Sequence, residues 1–167
     1  METKKVAGIG MMIALAFVLS YVESLLPISI GIPGVKIGLS NLVIMVCFYQ
    51  YSTKVTLGVA MVRILLVGIT FGNLYSMLYS LAGGMLSFLV MFLLKKTKSF
   101  SVYGVSMAGG VFHNIGQILV ASVVLRTKLL VYYLPFLMLS GVVTGIAIGM
   151  VSGILIKRLG SVIKESV

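Results

Sequence analysis

Residues 64–94, ILLVGITFGNLYSMLYSLAGGMLSFLVMFLL, carry no charged side chain. A helix rises about 1.5 Å per residue, so this run would extend about 46 Å as one helix. The hydrocarbon core of a bilayer is only ~30 Å thick. The run is therefore too long for one span, and Gly72-Asn73 supplies a turn that divides it. One helix ends near Phe71; another covers 74–94 and stops at Lys95, Lys96 and Lys98.

The same reading extends in both directions. Upstream, a first apolar segment covers 7–26 and is read as a retained membrane helix, broken by Pro27 and the stretch PISIGIPG. A second runs from about Val35 to Tyr51 and is short, with Ser40, Asn41 and Gln50 inside it. A third runs from Val55 to Phe71 and contains Arg63. Downstream, a fifth covers 102–125 with His113, Asn114 and Gln117, and a sixth covers 131–156, ending at Lys157-Arg158. The expected fold is an all-α integral membrane protein, one domain over 1–167, with six transmembrane helices. If segments two and three both fall short of spanning, the count drops to four.

Composition agrees. Hydrophobic residues make up 60% and charged residues 10%, where soluble domains are nearer a quarter charged. Such a chain has too little polar surface to cover a water-soluble core. The net charge of +10 lies in short clusters rather than along a continuous face, which argues against nucleic-acid binding and for the positive-inside rule. With both termini cytoplasmic, the inner loops hold nine cations: Lys4, Lys5, Lys54, Lys95, Lys96, Lys98, Lys157, Arg158 and Lys164. The outer loops hold three: Lys36, Arg126 and Lys128.

Asp is absent, the only acids are Glu2, Glu23 and Glu165, and Cys47 is the single cysteine. These counts leave no carboxylate cluster for magnesium and no cysteine-rich metal site, and His113 alone is a poor metal ligand. No metal or cofactor is expected. Polar groups inside a bilayer are costly and therefore informative. Arg63 falls near the middle of its helix, either bonded to Glu23 or to helix carbonyls, or aimed at an anion in a pocket. Gln117 lies four residues after His113 and three after Asn114, so the three share roughly one face. Tyr75 and Tyr79 lie near the outer end of helix four, as belt residues or as pocket walls. Lys36, Ser40 and Asn41 follow the outer Pro/Gly-rich loop. These groups converge on the outer half, and the candidate binding set is Lys36, Asn41, Arg63, Tyr75, Tyr79, His113, Asn114 and Gln117.

Small residues form two further patterns. Gly141, Gly145, Gly149 and Gly153 recur every four residues, a ridge that lets helix backbones approach closely. Ala7, Gly10 and Ala14 give helix one a small face able to dock another membrane helix. The pentapeptides SLAGG (80–84) and SMAGG (106–110) resemble each other, which helix packing explains more simply than an internal repeat.

The stretches VKIGLSNLVIM (35–45), LYSLAGGMLSF (78–88) and especially GVSMAGGVFHNIGQILVA (104–121) resemble the heptaprenyl diphosphate synthase component I-like, or Gx transporter, family over most of the chain. That family looks like the substrate-binding S components of energy-coupling factor transporters. The resemblance implies six helices in a prokaryotic plasma membrane and a vitamin-like ligand near the outer face. It also implies docking through helix one onto a membrane coupling subunit driven by two ATPases. No Walker A sequence occurs, so ATP use would fall to those partners. No aspartate-rich motif is present to hold magnesium diphosphate, so the chain is not expected to be an enzyme. The two functions carried forward are a binding component for a small, anionic molecule and a non-catalytic membrane subunit of polyprenyl or quinone metabolism.

Overall fold

The computed structural model describes residues 2–25 and 38–166, with side chains described for 3–25 and 38–159. Among these residues the protein is all helical. The six helices are α1 (Glu2–Leu25), α2 (Leu39–Gln50), α3 (Thr53–Thr70), α4 (Leu74–Thr97), α5 (Val102–Val124) and α6 (Leu134–Ser166), with a short 3-10 turn at Leu129–Tyr133. All but α2 are long and apolar enough to cross a membrane. The helix ends follow local chemistry. The expected Gly72-Asn73 turn is where the Asn73 side chain accepts from Ser76 N–H while Ser76 Oγ accepts from Asn73 N–H, a reciprocal capping box. Ser52 and Ser101 cap α3 and α5 in the same sense. Helix six runs on past Lys157-Arg158, where the sequence reading ended it.

Helix α2 has 12 described residues, about 18 Å of rise, well short of a bilayer core. It is nonetheless the centre of the molecule. Val43, Ile44, Met45, Val46, Cys47 and Phe48 are all buried in succession. Val43, Ile44 and Cys47 pack with Met12 and Ala16 of α1 and Val59 of α3. Met45 and Phe48 pack with Met91, Val105 and Ile148 of α4, α5 and α6. A helix enclosed by protein on every side needs no lipid-matched length. At its end Lys95 donates to the Phe48 carbonyl and sits 4.6 Å from the Phe48 ring centroid, a cation at a helix C-terminus. Gln50 Nε2 donates to Ile156 O at 2.9 Å at this same end.

Helices α4, α5 and α6 are joined through glycine. A Cβ on Gly145 would lie 2.6 Å from Met107 Cα, and one on Gly141 2.8 Å from the Gly110 carbonyl carbon. The two Gly-Gly pairs divide their work. Gly83 of α4 and Gly109 of α5 face each other's helices, meeting His113 and Met91 respectively. Gly84 and Gly110 face outward neighbours, Ile64 of α3 and Gly141 of α6. The SLAGG and SMAGG resemblance is thus a shared packing solution.

Candidate functional site

The antiparallel order brings the end of α1, the start of α2 and the α3–α4 turn to one end of the bundle. The Lys95 end lies opposite. From the first end a cavity of about 350 Å³ reaches into the middle of the molecule, with residues of all six helices in its wall. That volume lies within the range of small-molecule pockets.

Of the sequence-derived binding set, Asn41, Arg63, His113, Asn114 and Gln117 line this one cavity. Lys36 lies outside the described residues. Tyr75 and Tyr79 are not in the wall, and Tyr75 is 58% exposed. The reason is rotational. The lining stripe of α4 runs through Ser76, Ser80, Ser87 and Met91, and Tyr75 and Tyr79 each sit one residue, about 100°, away from it.

Arg63 donates through Nη1 to the Ser40 hydroxyl of α2, while its Nε is buried with no hydrogen-bond partner. Glu23 is in the same wall and attracts Arg63 electrostatically. Its Oε1 accepts the Gly38 N–H at 2.5 Å. Gly38 has φ of +79°, a left-handed conformation suited to glycine, and stands at the N-cap of α2. Glu23 therefore ties the end of α1 to the start of α2, in addition to balancing charge. Asn114 Nδ2 donates to the Leu137 carbonyl at 2.6 Å, linking α5 to α6. Gln117 packs against the Gly83 position, and so does His113. No group of three or more His, Cys, Asp or Glu able to hold a metal occurs among the described residues.

The sequence reading passed over Ser80, Ser87, Ser106 and Thr144, which also line the cavity. The one available signal was that Ser80 and Ser106 each begin one of the related pentapeptides. On α1, Ala7, Gly10 and Ala14 are exposed, and nothing lies within 4 Å of a Cβ built on Gly10. The inward stripe is instead Gly8, Met12 and Ala16, with Tyr51 Oη against Gly8.

No curated protein and no solved structure matches the chain. A family model, Heptaprenyl diphosphate synthase component I, matches residues 12–155. That span contains every residue lining the cavity, from Ser20 to Ile148. With most of its length matched, this membrane-type helical chain belongs to the heptaprenyl diphosphate synthase component I family.

Proposed function

We propose that the protein is the substrate-binding component of an uptake system for a small anionic molecule held in the six-helix cavity. The observation that carries this reading is Arg63, whose Nε lies buried in the wall without a partner while Nη1 is held by Ser40. A fixed guanidinium with a free N–H edge matches a carboxylate or phosphate, which can accept two parallel hydrogen bonds. Asn41, His113 and Gln117 supply further polar contacts.

In this reading all six helices count in the bundle, both termini are cytoplasmic, and the cavity opens outward in the cell membrane. The cation distribution supports that orientation. The exposed Ala7/Gly10/Ala14 face of α1 docks a membrane coupling subunit served by two ATPases. The protein itself performs no catalysis.

The family's description favours a second reading, a non-catalytic membrane subunit handling a polyprenyl diphosphate. A diphosphate also suits Arg63, but a polyprenyl tail requires a groove open to lipid. Native mass spectrometry of the purified protein separates the two. A retained small, water-soluble anion supports the uptake component; a retained polyprenyl or quinone lipid overturns it.

A further inference from the structure

Five buried polar residues stand out among the described helices: Ser40, Thr56, Ser87, Ser106 and Ser152. A hydroxyl in an apolar helix commonly bonds back to the carbonyl one turn earlier. Thr56 does so with Ser52, and Ser152 with Ile148. Ser40 accepts from Arg63. Ser87 of α4 and Ser106 of α5 are only 7% and 4% exposed, yet neither makes a side-chain hydrogen bond among the described residues. Both line the cavity.

Their position within the cavity is specific. Gly83 meets His113, and Gly84 meets Ile64, which adjoins Arg63 in the chain, so these residues mark the level of His113 and of the α3 backbone beside Arg63. Ser87 lies one turn further along α4, toward the Lys95 end. Ser106 lies seven residues before His113 on α5, about 10 Å deeper. The Ser87 hydroxyl lies 3.4 Å from the Cβ position of Gly109, so it faces α5. Around this deeper end the wall is apolar, with Met45, Met91 and Ile148.

We infer that Ser87 and Ser106 form a second polar subsite at the inner end of the cavity. It selects an elongated anion whose far end carries a hydroxyl or carbonyl over one ending in an alkyl group. The inference rests on the anion-binding reading of Arg63. An alkyl terminus in this subsite would leave two buried hydroxyls without partners. A hydroxyl terminus can accept from one serine and donate to the other. Sites built to hydrogen-bond a ligand group reject analogues lacking it far more strongly than apolar sites reject a missing methylene.

The test is titration calorimetry on the full chain in lipid nanodiscs. The probes are hexanoate, octanoate and decanoate, each beside its terminal-hydroxyl analogue. At the chain length that spans the two subsites, the hydroxyl analogue should bind at least about tenfold more tightly, equivalent to one well-formed hydrogen bond. The Ser87→Ala/Ser106→Ala double variant should lose that preference yet retain alkanoate binding, with thermal melting showing that it remains folded. Arg63→Ala should lose both ligand series. Equal affinity for the two series, or a preference that survives in the double variant, overturns the serine subsite. The Arg63 reading then stands as long as Arg63→Ala still abolishes binding. Failure of every carboxylate to bind the unaltered protein overturns both.

Discussion

The Arg63 guanidinium of α3 is fixed by the Ser40 hydroxyl of α2 rather than by the carboxylate of Glu23, which holds the Gly38 N–H. The cation is thus oriented by a neutral partner, Glu23 offsets its charge from the same wall, and its Nε N–H is left without a protein partner. Arg63→Ala should weaken binding of a small carboxylate at least tenfold in calorimetry while the protein stays folded. Arg63→Lys should restore only part of the affinity, because an ammonium lacks the planar fork.

Glu23 separates charge from hydrogen bonding. Glu23→Gln retains an oxygen for Gly38 N–H and should leave the thermal midpoint nearly unchanged. Glu23→Ala strands that N–H and should lower stability by ~1–3 kcal/mol. Equal loss in both variants would mean that the charge, and not the bond to Gly38, is what matters.

Asn114 and Gln117 are neighbours on α5 with different duties. Asn114 is committed to the Leu137 carbonyl, so Asn114→Ala should first show as a lowered melting temperature. Gln117→Ala should instead reduce ligand affinity with little change in melting.

Glycine positions differ sharply in what surrounds them. Gly145→Ala places a methyl against the Met107 backbone and should destabilise the protein by at least the ~1–3 kcal/mol typical of overpacking. Gly58→Ala meets nothing within 4 Å and should be neutral or stabilising by up to about 1 kcal/mol. Thermal melting of the two variants side by side checks the pair.

The α1 face and the membrane orientation can be tested together. Ala14→Phe should abolish co-purification with the proposed coupling subunit and leave carboxylate binding intact. In a Cys47→Ala background, Ser99→Cys should label from the cytoplasmic side and Lys128→Cys from outside. The reverse pattern of labelling would invert the proposed orientation.

Much of the architecture was legible because it rests on local signals. The charge-free run 64–94 had to turn, and Gly72-Asn73 did so through the Asn73 cap. The Gly141/Gly145/Gly149/Gly153 ridge announced a close helix contact, made with α5. Arg63, His113, Asn114 and Gln117 were conspicuous because polar groups in apolar helices are rare. Ser87 and Ser106 were not, since serine in such a helix ordinarily satisfies itself on its own backbone. Tyr75 and Tyr79 were misread as possible walls because only the relative rotation of packed helices decides which stripe faces inward. Nor could sequence show that α2, the shortest helix, sits at the centre, because burial by neighbours and burial by lipid select the same apolar residues.

The cavity lies along the seam between two unlike halves of the bundle. On one side α4, α5 and α6 are clamped backbone to backbone by glycine; on the other α1 rests against α2 and α3 alone among its larger contacts. Arg63 belongs to the looser half, and Gln117 to the clamped one. A ligand that touches both is a clasp across the seam. Its arrival should slow amide hydrogen exchange on the α3 and α5 flanks in concert.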